Sequence, residues 1–178
     1  AAPPRRHGKL MNDPIHGCFR LDPACTPILD TRQFQRLRRL KQLGTTYYVF
    51  PGACHNRFEH SLGVAHLARR FAHQLWSAQR AELGDTVERA DLRVVELAGL
   101  CHDLGHGPFS HVFEREFLGR LGVADWEHEA MSAKMLDYIV DDNHLDADAA
   151  PPEDLRRVKD LITAGGHGGG GAAAAGAP

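Results

Sequence analysis

The sequence predicts an all-α bundle with a short extended N-terminal lead-in. Apolar residues recur at helical spacing through successive stretches of the chain. Capping and stop residues bracket those stretches at helix-length intervals. One stretch, residues 89–104, is apolar on most sides and reads as a central, buried helix. With 178 residues, 43% hydrophobic and 25% charged, the composition fits one globular domain.

Taken in order, residues 9–22 read as an irregular extended lead-in. Asp13-Pro14 and His16-Gly17 are turn signals, and Cys18 to Leu21 forms a candidate short strand. Thr31 caps a helix carrying Phe34, Leu37, Leu40 and Leu43, which Gly44 ends. Thr45 to Cys54 is an aromatic loop with Tyr47, Tyr48 and Phe50. Asn56 caps the next helix, with Glu59 at the reciprocal capping-box position and an apolar row of Phe58, Leu62, Ala65, Phe71 and Leu75. The 89–104 helix follows and is broken by Gly105. Pro108 opens a helix through Phe109, Val112, Phe113 and Phe117, with Gly122 as its stop. A further helix spans Glu127 to Val140 on Met131, Met135, Leu136 and Ile139. After an Asp/Ala/Pro-rich loop at 141–152, Leu155, Val158, Leu161 and Ile162 mark a last helix that stops at Gly165.

Chemistry concentrates in three segments. The central helix runs into His102-Asp103, with His106 and His111 close behind. Upstream lies His55-Asn-Arg-Phe-Glu-His60, and downstream Trp126-Glu-His-Glu129. A lone His-Asp pair reads as a helix-end hydrogen bond. Here six of the twelve histidines fall in these segments, which surface histidines would not do. Imidazole plus carboxylate suits Mn, Fe, Ni or Zn, and with water Mg. A helix ending in ligands on a cleft floor leaves positions open for water and substrate.

The pattern H…HD, here His60 with His102-Asp103, resembles the HD-domain metal-dependent phosphohydrolases. Asn12 to Gly17, Asp30 to Arg38, Lys41 to Gly44, Tyr47 to Ala53, His55 to Val64 and Ala98 to His111 together resemble the eukaryotic sterile-alpha-motif/HD-domain deoxynucleoside triphosphate triphosphohydrolases, from about Lys9 to Ala164. The resemblance implies a partial HD-domain helical bundle over residues 9–164. It implies hydrolysis of a deoxynucleoside triphosphate to deoxynucleoside plus triphosphate. His60, His102 and Asp103 are the implied metal ligands, for Zn, Fe, Mn or Mg. His106, His111 and His128 are the implied proton-transfer and supporting histidines. Arg57 is the implied phosphate contact, and Gln42 and Leu43 the implied sugar and base contacts. Lys9, Leu10, Asn12, Asp30, Gln35 and Arg38 are implied to bind a GTP or dGTP activator between subunits of a homo-oligomer. The run Arg36 to Lys41 otherwise reads as a solvated basic helix face, and Arg57 beside Glu59 as a surface ion pair.

The family's fourth ligand, an Asp on a later helix, has no counterpart here, so weak metal binding and impaired turnover are expected. An HD phosphohydrolase acting on another nucleotide and a non-catalytic nucleotide-binding or oligomer-modulating fragment are the alternatives. The family's single-stranded nucleic acid binding finds little support in a net charge of -2. No run approaches the roughly 20 apolar residues of a membrane span. Cys18, Cys25, Cys54 and Cys101 show no C-x-x-C spacing and read as reduced thiols of an intracellular protein, nuclear or cytoplasmic. Residues 1–8 read as a flexible N-terminus and the Gly/Ala-rich 165–178, with His167, as a disordered tail, and the two ends suggest a fragment.

Overall fold

In the computed structural model, the lead-in folds into an antiparallel hairpin of β1 (Leu10–Asp13) and β2 (Gly17–Arg20), pairing Leu10 with Arg20 and Asp13 with Gly17. Described are residues 8–164 except 85 and 124. Residues 1–7, the 165–178 tail and the Gly165 stop lie outside the described residues. The hairpin turn is made by Asp13, whose Oδ1 accepts the N–H groups of Ile15 and His16, both at 2.8 Å, and by Gly17 at a φ of 69°. Phe19 carries the hairpin into the core, and His66 stacks on its ring at 4.3 Å between centroids.

α1 (Cys25–Leu29) sends Cys25, Ile28 and Leu29 inward and is too short to show a period in the sequence. Thr31 caps α2 (Arg32–Gln35) by accepting the Phe34 N–H. The expected helix through Leu43 does not form. α2 tightens into a 3-10 turn over Arg36–Arg39, and Leu40 is extended. Backbone pairing with the entry to the next helix outcompetes it: Leu40 O accepts the Arg57 N–H at 2.8 Å and Gln42 N–H donates to His55 O at 3.2 Å. Leu43 is left exposed.

α3 (Arg57–Ala78) starts as expected, with the Asn56 side chain accepting the Glu59 N–H. It buries Phe58, Leu62 and Ala65, whereas Phe71 and Leu75 are exposed, so only the first half of the apolar row is core. A short α4 (Arg80–Leu83) leads to α5 (Arg89–Cys101), which opens with a capping box between Glu88 and Asp91. α5 packs closely on α3 at Gly99, where a Cβ would sit 3.2 Å from Ala65 Cα, so a larger residue would push the two helices apart by a few tenths of an ångström.

α5 ends at Cys101, ahead of Gly105, with residues 102–105 in a turn. The buried Ser132 hydroxyl explains the early end. It donates to His102 O at 2.6 Å and accepts the Gly105 N–H at 2.8 Å, taking up two backbone groups of the turn. Pro108 opens no helix either. Phe109 and Ser110 adopt left-handed φ values of 64° and 56°, and a π-helical segment begins only at Val112 and runs to Leu118. Ser110 is tucked inward, its hydroxyl beside Gln42 O at 3.2 Å and Arg57 Nε at 3.1 Å, and that docking overrides the helix start.

α6 (His128–Asp142) and α7 (Pro152–Ala164) close the bundle with Leu136, Ile139, Leu155, Val158 and Ile162, and α7 packs against α5 and α6. All four cysteines are free. Burial pushes the Cys101 thiol up to about 12, consistent with a small apolar core residue. No described helix is long and apolar enough to cross a membrane.

Candidate metal centre

The close approach of α3 and α5 brings His60 to the turn that follows α5. His60 Nε2 lies 3.4 Å from Asp103 Oδ2, His102 Nε2 lies 3.3 Å from Asp103 Oδ1, and the two imidazole Nε2 atoms are 3.3 Å apart. His102 Nδ1 faces Gly99 O at 2.8 Å, so it carries the proton and leaves the Nε2 lone pair free. Asp103 is buried, which alone would raise its pKa. The hydrogen bond from His106 and the charge of Arg57 nevertheless hold it well below the usual carboxylate range. Burial pushes His60 down, toward the neutral form. Two lone-pair nitrogens and an ionised carboxylate, mutually within 4.8 Å, fit a divalent cation. Among the described residues this group has three members.

The same shifts set an acid response for the metal-free chain. His60 and His106 have folded pKa values below their unfolded ones, as does Asp103. In each case the unfolded chain binds more protons, so stability rises with pH. Stability is therefore expected to fall first as pH drops below about 6.5, the unfolded histidine value, and again below about 3.9, that of aspartate. Denaturant midpoints measured from pH 8 to 3 in chelator check this; a flat profile between pH 7 and 5 would contradict it.

A second imidazole group lies beside the first. His106, buried, presents Nε2 to Asp103 Oδ1 at 3.2 Å, while its Nδ1 has no hydrogen-bond partner among the described residues. Its ring stacks on His128 at 3.9 Å between centroids, and His111 packs edge-on to both. His111 Nδ1 and His128 Nδ1 approach the same oxygen of Glu114, at 3.2 and 3.1 Å. His111 remains half exposed and His128 largely covered.

Arg57 is buried, with Nε on Ser110 and Nη1 on Asp103. Glu59 is instead occupied by the Asn56 side chain, so no surface pair between Arg57 and Glu59 exists. Gln42 joins His60, Val64 and His16 around a cavity of about 640 Å³, and Leu43 lies exposed next in sequence. On the other side His102 and His128 line a cavity of about 300 Å³ with Gly99 and Leu161. The metal group thus sits between two openings.

The residues implied for an activator form two mutually bonded pairs. Lys9 contacts Asp30, and Arg38 Nε donates to Gln35 Oε1 at 2.7 Å while stacking 3.5 Å over the Phe58 ring. Gln35 Nε2 donates to Leu29 O, next to Asp30, which links the pairs. Leu10 and Asn12 are exposed on β1. Arg36 is no solvated helix face: its guanidinium donates to Leu104 O at 2.7 Å and His106 O at 3.0 Å.

Ser110, Glu114, Glu129 and Ser132 are the site residues that sequence reasoning misses. Glu114 has a signal, three residues after His111. Ser132 has none, since its role depends on α6 meeting the turn after α5.

The HD domain family matches residues 57–163. The chain is 49% identical over 160 residues to deoxynucleoside triphosphate triphosphohydrolase SAMHD1 of Danio rerio, covering 86% of this chain and 25% of that protein. It is 48% identical over 161 residues to the Homo sapiens protein of the same name, with 86% and 25% covered. The putative HD domain-containing protein L394 of Acanthamoeba polyphaga mimivirus is 37% identical over 159 residues, with 80% and 35% covered. The chain thus spans about a quarter of the length of the first two, 25% in each case.

Proposed function

The chain belongs to the HD-domain family, and from that premise we propose that it is a metal-dependent phosphohydrolase acting on deoxynucleoside triphosphates to release deoxynucleoside and inorganic triphosphate. The observation that carries the reading is the convergence of His60, His102 and Asp103 between two openings. These three would hold the cation. Bound there, a divalent ion supplies charge neutralisation at the phosphate and a water of lowered pKa.

The protein groups supply the rest. The new bond joins a water oxygen to the α-phosphorus, and the bond to O5′ breaks, its electron pair leaving on that oxygen. His111, half exposed and bonded to Glu114, would give O5′ its proton. His128 shares Glu114 and carries the water's proton away. His106 fixes the orientation of Asp103. Arg57 has no partner for Nη2 among the described residues, leaving a donor for a phosphate oxygen. Gln42, which lines the larger cavity, and Leu43, next to it in sequence, would contact sugar and base. The linked pairs Lys9–Asp30 and Gln35–Arg38, with Leu10 and Asn12, would take the guanine nucleotide activator, GTP or dGTP, at a subunit boundary.

Incubation with dGTP plus a second deoxynucleotide and Mg²⁺ or Mn²⁺ is expected to yield triphosphate and deoxynucleoside. With three protein donors among the described residues, release is expected to be slow, and it should vanish on His102→Ala. Orthophosphate or pyrophosphate as the product would replace this reading with another HD phosphohydrolase. The three-member donor group favours one second reading, nucleotide binding without turnover, which saturable dGTP binding with no product would establish.

A further inference from the structure

Away from the metal group, α2 and the 3-10 turn that continues it face the end of α6 across a cavity of about 620 Å³. Arg32, Arg36 and Arg39 line it from α2 and its turn, at spacings of four and three residues that put them on one helical face. Tyr138 and Asp142 line it from α6. Gln33 ties the two walls together: its Nε2 donates to Asp142 Oδ2 at 2.6 Å, and its Oε1 accepts from Asn143 Nδ2 at 3.3 Å.

The charges around this space do not balance. Like charges four apart on a helix repel and destabilise it. The arginines in ion pairs are Arg57, Arg69, Arg93, Arg156 and Arg157. Among the described residues Arg32, Arg36 and Arg39 form none. Asp142 is the one carboxylate in the wall, and both its oxygens are engaged, by Gln33 and by the Tyr138 hydroxyl at 3.4 Å. Three guanidiniums against one carboxylate leave two positive charges unmet.

Arg36 supplies a second, independent observation. It is half-buried, and its Nη1 and Nη2 donate to the neutral carbonyls of His106 and Leu104 rather than to an acid. Burial lowers its pKa with no carboxylate acting the other way. A cation withdrawn from water ordinarily has a counter-charge. Its Nε has no partner among the described residues, which leaves a donor for an incoming oxygen.

We propose that this cavity is a binding site for a phosphate-class polyanion, held by Arg32, Arg36 and Arg39. Guanidinium forks match pairs of phosphate oxygens, and two unmet positive charges fit a dianion or higher. The site uses none of the metal ligands and none of the histidines assigned to the reaction. Gln35 also lines the cavity, but both ends of its amide are already bonded, to Arg38 and to Leu29 O.

The test is calorimetric titration of the full chain, metal-free in chelator, with inorganic triphosphate and, in a separate arm, with dGMP. One saturable equivalent of triphosphate is expected. Arg32→Gln and Arg39→Gln, both at exposed positions, should each weaken binding about tenfold, the loss of one charge-assisted bond. Asp142→Asn should tighten it, because the wall then keeps its hydrogen bond to Gln33 without its negative charge. Lys9→Gln should leave it unchanged. Circular dichroism confirms that each variant is folded. Triphosphate binding tighter than dGMP binding upholds the site with a free oligophosphate as its ligand, and the reverse order upholds it for a nucleotide phosphate. Affinity that survives the Arg32→Gln/Arg39→Gln double variant belongs to the Arg57 side of the metal group and overturns the proposal. Affinity lost on Lys9→Gln belongs to the activator residues and overturns it too, as does the absence of any binding.

Discussion

Replacing Gly105 by alanine is expected to unfold the chain or separate α6 from the turn that carries His102 and Asp103. A Cβ at this position would lie 2.3 Å from His128 O, 2.4 Å from Ser132 N and 2.7 Å from Met131 C. These are backbone atoms of α6 and its entry, so no rotamer change relieves the overlap. The helix must move bodily, which breaks the bond from Gly105 N–H to Ser132 Oγ and parts the stacked His106 and His128 rings. Overpacking of this kind costs about 3 kcal/mol or more, a drop in Tm of roughly 10 °C for a chain of this size. Thermal melting of Gly105→Ala against the unmodified protein, with metal uptake on any folded fraction, measures it. An unchanged Tm would show that α6 is not seated on this turn.

Asp103→Ala is expected to have the next largest effect, through two separate routes. It removes a metal donor, and it strands Arg57, whose guanidinium is 4% exposed and loses its only carboxylate partner among the described residues. Breaking one half of a buried pair costs about 3–5 kcal/mol. The reverse change, Arg57→Met, leaves Asp103 buried with only imidazoles around it and should cost a similar amount. Arg57→Met combined with Asp103→Leu removes both charges, so its loss should be clearly smaller than the sum of the single losses. Denaturant titrations of the singles and the double give the coupling, and strict additivity would refute the pairing.

The parts of the fold legible in the sequence are those decided within one element. α3 begins where Asn56 and Glu59 say it should, α6 and α7 follow their apolar rows, and α5 is as buried as its composition implies. The misses share one cause, competition from a partner distant in sequence. The residues after Leu40 leave a helical pattern to pair with the entry of α3, and Phe109 and Ser110 take left-handed backbone so that Ser110 can reach Arg57 and Gln42. The meeting of His60 with His102 and Asp103 was expected from family resemblance, because a spacing of 42 residues says nothing of proximity by itself. The contacts of Glu114 and Glu129 with His128 were not visible in that way, since these residues become neighbours only when the π-helical segment lies against the start of α6.

The grip of Arg36 on the carbonyls of Leu104 and His106 has a mechanical consequence. The tight turn between α2 and Leu40 is riveted to the loop beneath the candidate metal, with Gln35 on one side of the rivet and Arg38 two places beyond it. A shift of that turn would bear on the two carbonyls that flank Gly105, in the loop that carries Asp103 and His106.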